Sequence, residues 1–287
     1  MTDFRPRRSV LYLPASNGRA LAKAATLPCD GLILDLEDSV APDAKTAARE
    51  AACAAVQSGE YGGRELAVRV NGAGTAWHDD DLTAVCTAGP DAIVVPKVDS
   101  AEAVRTLVAT LERHAPDRTS LWAMVETPRA MLHGEEIAGA SDRLTVLVMG
   151  TNDLAKELFA EHVPGRAPLL TGLSLALLAA RATGTVILDG VYNDVQDVDG
   201  FLAECRQGQE LGFDGKTLIH PGQVEGANAA FAPDERAVED ARGILAAWEE
   251  GQGSGVVTYQ GRMIERLHVD TAERTLSLHE AITRSSS

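Results

Sequence analysis

Aromatic side chains are scarce in this chain of 287 residues, where Phe, Trp and Tyr together make up 4%. Its core must therefore be built from aliphatic residues, and a hydrophobic content of 45% is enough for one of full size. Basic residues are also few. The 26 Lys and Arg against 42 Asp and Glu leave a formal charge of −16. Such a surface repels nucleic acid and anionic membranes and excludes both as partners. No apolar run approaches the ~18 residues of a membrane span. The opening MTDFRPRRSVLYLP has too short an apolar run for a secretory signal, so a cytoplasmic protein is expected. The four cysteines (Cys29, Cys53, Cys86, Cys205) form no CxxC pair and show no metal-ligand spacing, which leaves buried thiols in a reducing compartment. No GxGxxG or P-loop opens any helix, and there is no low-complexity segment.

What is present is a rhythm. Apolar runs recur about every 25 to 35 residues with helical patterns between them, the signature of βα units. The candidate strands are residues 9–14, 31–38, 65–71, 92–98, 120–126, 144–150, 185–190 and 215–221. Pro42 and Ser100 mark helix starts. Eight units predict an α/β fold, a (β/α)₈ TIM barrel over residues 1–232. A doubly wound open sheet is the rival, weakened by the missing phosphate-binding motifs. Residues 233–287 are surplus to a barrel: a helical pattern at 233–250, then GQGSG, then a further tail. They predict a C-terminal helical extension, acting as a lid, packing on a neighbouring subunit, or lying against the barrel's own exterior.

The active site of such a barrel lies at the carboxyl ends of its strands. Glu37, Asp38, Arg69, Asn71, Lys97, Glu126, Asn152, Asp153, Asp189 and His220 all fall there. The sharpest pattern runs from Leu121 to Leu154, where two successive apolar runs end in Glu126 and in Gly150-Thr151-Asn152-Asp153. Neighbouring parallel strands end about 5 Å apart, so both carboxylates could grip one ion. Oxygen ligands without His or Cys favour Mg²⁺, or Mn²⁺, over zinc. The backbone N–H groups of Thr151 and Asn152 open the following helix and could hold a substrate carboxylate. Plainer roles stand beside these. Glu126 could pair with Arg69 or Lys97, and Asp153 could be a first-turn acid favoured by the helix dipole. Arg69 could pair with Asp35 or Glu37, and His220 could be a hydrogen-bonded strand-end residue. Lys97 could form a Schiff base in a metal-free aldolase, but beside two acids it fits better as their support.

Several segments, spread over nearly the whole chain, resemble the HpcH/HpaI aldolase and citrate lyase superfamily in its citrate lyase beta-like branch. They include RRSVLYLPASNGRALAKA, DGLILDLEDSVAPDAKTAAR, LAVRVNG, IVVPKVDS, MVETPRAM, LVMGTNDLAKEL, LDGVYNDVQDVDGF, GFDGKTLIHPGQ and YQGRMI. The resemblance implies a barrel assembled as a homotrimer or homohexamer. It also implies a Mg²⁺-dependent carbon–carbon lyase that cleaves or forms a β-hydroxyacyl-CoA (citramalyl-, malyl- or citryl-CoA) from an acyl-CoA and a 2-oxo acid. Two alternatives are a malyl-CoA-type thioesterase and a citrate lyase beta subunit that needs an acyl-carrier partner. By position, Glu126 and Asp153 match the family's metal ligands, Arg69 its oxo-acid-binding arginine, and Asp38 an acid near the metal. Arg19 and Lys23 match the first loop, beside the CoA phosphates. The family's tail motif is followed by an Asp thought to act as base from a neighbouring subunit. Here that position is Glu265, one methylene longer, a departure that leaves lyase, synthase and thioesterase as the alternatives.

Overall fold

Eight short runs rich in Val, Ile and Leu form parallel strands: β1 (Ser9–Pro14), β2 (Gly31–Asp35), β3 (Glu65–Arg69), β4 (Ala92–Val95), β5 (Ser120–Val125), β6 (Leu144–Met149), β7 (Val186–Asp189) and β8 (Gly215–Leu218). In the computed structural model, which describes residues 5–251 and 255–285, these strands pair in chain order. β1 then closes on β8 through Val10 and Thr217. The chain is a closed (β/α)₈ barrel, as the repeated βα pattern predicts. Several strands stop short of the apolar runs that announce them; β2, expected to Asp38, ends at Asp35, because the acids that follow leave the ladder for the loop.

Between the strands lie α1 (Gly18–Ala24), α2 (Lys45–Ser58), α3 (His78–Ala88), α4 (Ala101–His114), α5 (Pro128–Leu132), α6 (Gly134–Ala138), α7 (Thr151–Glu157), α8 (Leu170–Thr183) and α9 (Val198–Leu211). Helix α10 (Val224–Phe231) follows β8. Ser100 caps α4, its Oγ accepting from the Ala103 N–H at 3.3 Å. Pro42 opens a 3₁₀ turn that leads into α2.

Alternate strand residues point inward. Val10, Ile33, Ala67, Ala92, Val94, Trp122, Met124, Val146, Val148 and Leu188 fill the barrel interior. With so few aromatics, Trp122 supplies the one large ring in this cluster. Lys216, fully buried, pairs with Asp189 at 3.1 Å and Glu204 at 2.8 Å, while Arg166 Nη1 reaches Asp189 at 2.7 Å. Asp189, a strand-end acid in the sequence, is thus sealed into an ion network.

The described residues form two compact units, one of Arg7–Ala230 and one that joins the residues before Arg7 to those from Phe231 onward. In the second, α11 (Glu235–Glu250) packs on α12 (Arg266–Ser285), and β9 (Val257–Tyr259) pairs antiparallel with β10 (Arg262–Ile264). The C-terminal extension is therefore helical, with a hairpin the sequence did not announce. Its turn is Gln260-Gly261, both at positive φ (48° and 74°), the geometry of a tight two-residue hairpin. Among the described residues no helix is long and apolar enough to cross a membrane, and all four cysteines are free, with Cys53 half-buried.

Candidate active site

The inward alternation that fills the barrel continues to its carboxyl rim. Val10 leads to Tyr12, Ile33 to Asp35, Ala67 to Arg69, and Trp122 and Met124 to Glu126. The apolar parity thus ends in one layer of polar groups. Tyr12, Asp35, Arg69 and Glu126 line a cavity of about 290 Å³, together with Asp38, Ser39, Met124, Thr151, Asn152, Asp153 and Asn193.

Glu126 is 2% exposed. Its Oε1 accepts from the Lys97 backbone N–H at 2.8 Å, and Lys97 holds a left-handed φ of 55° to present that group. The Lys97 ammonium lies 3.5 Å from Asp153 Oδ1. One residue therefore steadies both acids. Burial would lower the Lys97 pKa, but Asp153, Glu126 and Glu37 outweigh it and hold the amine above its ordinary value. That favours the supporting role over Schiff-base chemistry, which needs a neutral amine. Gly150 makes room for the carboxylate: a Cβ there would lie 2.1 Å from Glu126 Oε2 and 2.4 Å from its Cβ.

Burial, joined by the charges of Asp153 and Glu37, pushes Glu126 up to about 7. Glu37 also rises to about 7, through burial and the nearby Asp38 and Asp35, against the opposing Arg69. Such a crowd of carboxylates is stabilised by a cation. Among the described residues no group of three His, Cys, Asp or Glu side chains is arranged to hold a metal by itself. A cation at Glu126 and Asp153 would therefore keep positions for water and substrate oxygens, as Mg²⁺ does. The donor set fits the ion that the sequence predicts.

Arg69 is clamped. Its Nε and Nη2 donate to Asp35 at 2.7 and 2.8 Å, Nη1 lies 2.9 Å from Glu37 and 3.5 Å from Asp38, and its Cζ sits 4.8 Å from the centre of the Tyr12 ring. The pairing with Asp35 and Glu37 is real; Nη1, which meets Glu37, also approaches the sulfur of Met124 at 3.9 Å, and Met124 lines the cavity with Arg69. Asp35 also accepts from Ser39 Oγ at 2.6 Å and the Glu37 N–H at 2.9 Å, so it builds the loop that carries Glu37 and Asp38. Lys45 Nζ pins that loop by donating to the carbonyls of Leu36 and Glu37 at 2.8 and 2.7 Å.

Thr151 and Asn152 line the cavity at the start of α7, which no side chain caps. The Asn152 and Asn193 side-chain amides bond reciprocally at 3.0 and 2.7 Å, tying the β6 loop to the β7 loop. Arg19 and Lys23 are exposed on α1 and do not line the cavity. Glu265 lies in the second unit, just after β10, where its N–H donates to His268 Nδ1 at 3.1 Å. Exposed His220 caps a 3₁₀ turn, its Nδ1 accepting from Gly222 at 3.1 Å. Asn71 is structural, bonded to Leu36 and Asp81. Sequence reasoning passed over Tyr12, Asp35 and Asn193 as site residues. For the first two, alternation along β1 and β2 was the available signal.

A family model described as HpcH/HpaI aldolase/citrate lyase matches residues 8–221, and one described as a C–C bond lyase of the TIM-barrel fold matches residues 170–282. A (3S)-malyl-CoA thioesterase from Cereibacter sphaeroides is 50% identical over 279 residues, covering 96% of each chain. The citrate lyase subunit beta of Escherichia coli is 36% identical over 284 residues, covering 96% of this chain and 94% of that one. A crystal structure of CitE from Mycobacterium tuberculosis, in complex with magnesium, acetoacetate and coenzyme A, superposes with a TM-score of 0.78 at 32% identity. It covers 95% of this chain and 97% of that one. The barrel, the pair of rim acids and these likenesses converge: the chain belongs to the HpcH/HpaI aldolase/citrate lyase family.

Proposed function

We propose that the protein is a Mg²⁺-dependent enzyme of malyl-CoA-type thioesters whose net reaction is hydrolysis to the 2-hydroxy acid and free CoA. The observation that carries this reading is the 50% identity, over 96% of both chains, to a (3S)-malyl-CoA thioesterase. Glu126 and Asp153 would hold the ion, which when bound supplies Lewis-acid polarisation of substrate oxygens. Lys97 keeps the two acids in register. The Nη1 edge of Arg69 and the N–H groups of Thr151 and Asn152 receive the substrate's free carboxylate. Asp38 orders water at the rim. In hydrolysis water adds to the thioester carbonyl, its proton passes to a base, and the carbon–sulfur bond breaks to release the CoA thiolate. Glu265 serves as that base, on an arm that reaches a neighbouring barrel in a homotrimer or homohexamer. Arg19 and Lys23 meet the CoA phosphates, and the enzyme works in the cytoplasm.

Carbon–carbon cleavage to an acyl-CoA and a 2-oxo acid is the second reading. It is favoured by the citrate lyase beta relatives, 34–36% identical. The deciding experiment incubates the protein with (3S)-malyl-CoA and follows both halves by mass. Malate and CoA thiol should form, vanish with EDTA and in Glu126→Ala, and return with Mg²⁺. Acetyl-CoA and glyoxylate in equal amounts without malate would replace the thioesterase with the lyase. Turnover only after adding an acyl-carrier protein would make the chain a citrate lyase subunit.

A further inference from the structure

Several hydroxyl groups of the barrel find oxygen acceptors, whereas the Tyr12 hydroxyl at the site has a sulfur as its partner. Ser39 Oγ donates to Asp35 at 2.6 Å, Thr217 Oγ1 to the Asp189 carbonyl at 3.0 Å, Tyr61 Oη to the Leu21 carbonyl at 3.3 Å, and Tyr192 Oη to Asp197 at 2.6 Å. Among the described residues the hydrogen-bond partner of Tyr12 Oη is the Met124 sulfur, 3.7 Å away. A thioether is a weak acceptor, and a buried tyrosine O–H ordinarily finds a better one. The ring cannot swing to seek it, because it packs on the interior cluster and lies against the Arg69 guanidinium at 4.8 Å. Tyr12, Arg69 and Met124 all line the same cavity. The phenol is thus a fixed donor, beside a fixed cation, facing the space a ligand would fill.

We infer that Tyr12 is a substrate-binding residue, its O–H donating to a carboxylate or carbonyl oxygen of a small 2-oxo or 2-hydroxy acid held beside Arg69. The inference rests on the reading that this cavity receives the acid end of the substrate. Tyr12→Phe keeps the ring and its stacking on Arg69 and removes only the donor.

Pyruvate in the presence of Mg²⁺ is the probe, with titration calorimetry as the readout. A hydrogen bond to a charged acceptor implies a dissociation constant for pyruvate about tenfold weaker in Tyr12→Phe. Melting temperature and Mg²⁺ affinity should match the wild type. Pyruvate should also shift a tyrosine absorption band in the wild type and not in the variant. Equal pyruvate affinity in the two proteins overturns the role of Tyr12 while leaving the function standing. Wild-type protein that binds Mg²⁺ but no 2-oxo or 2-hydroxy acid overturns both.

Discussion

Gly150→Ala tests the site without removing any reacting group. Its φ and ψ, −100° and 76°, are open to alanine, so backbone strain is not the issue. The added Cβ, however, would stand 2.1 Å from Glu126 Oε2 and 2.4 Å from Glu126 Cβ. Non-bonded carbon contacts relax at about 3.5 Å, so the Glu126 side chain must retreat by roughly 1 Å or more. It cannot do so freely, being buried and tied to the Lys97 N–H at 2.8 Å. Overpacking of this kind costs about 1–3 kcal/mol of stability, and a displacement of ~1 Å at a reacting group costs on the order of 100-fold in rate. Calorimetric titration with Mg²⁺ should show affinity reduced at least tenfold, and malyl-CoA turnover should fall by about 100-fold. Gly18→Ala is the control, since a Cβ there meets nothing within 4 Å. Wild-type Mg²⁺ affinity and turnover in Gly150→Ala would refute the placement of Glu126 as a metal ligand.

Three further outcomes follow. Lys97→Gly removes a left-handed side-chain residue but keeps the N–H that holds Glu126. It should unfold no more easily than wild type, the relieved strain being worth about 1 kcal/mol, while Mg²⁺ binding weakens with the loss of the ammonium at Asp153; a large drop in melting temperature would contradict this. Burial alone would raise Asp35, but Arg69, Ser39 and the Glu37 N–H outweigh it and hold its pKa below the ordinary carboxylate value. Its pairing therefore stabilises the fold fully above about pH 4 and is lost as pH falls through the depressed folded value. Denaturant titrations should show the stability gap between wild type and Asp35→Asn narrowing below about pH 4, and a gap that does not change with pH would exclude the linkage. Glu265→Gln should lower kcat more than it raises KM for malyl-CoA, and an unchanged kcat rejects Glu265 as the base.

The barrel was legible because its period is local. Each apolar run of four to six residues in β1 to β8 must bury both faces, and the helical patterns between them leave parallel pairing as the arrangement with short connections. The place of Glu126 and Asp153 at the cavity was legible for a related reason, since one acid directly follows the apolar run of β5 and the other lies in the first turn of the helix after β6. The limits lie with residues whose role depends on a partner far along the chain. Asp189 reads like a rim acid and is sealed by Arg166 and Lys216.

By itself the sequence determined the eightfold alternation, the strand-end carboxylates and the family motifs, because hydrophobic period and residue order are properties of neighbours along the chain. Tertiary structure alone decided which polar groups share the cavity. Pairing β1 with β2 and β2 with β3 brings Tyr12 beneath Arg69, the loop after β2 folds Glu37 onto the same guanidinium, and pairing β5 with β6 sets Gly150 against Glu126. Those contacts join residues far apart along the chain: Gly150 and Glu126 lie 24 positions apart, Glu37 and Arg69 lie 32 apart, and Tyr12 and Arg69 lie 57 apart. A local pattern carries no information about separations of that size, because they are fixed by which strands pair and in what register, and by the side chains that fill the barrel.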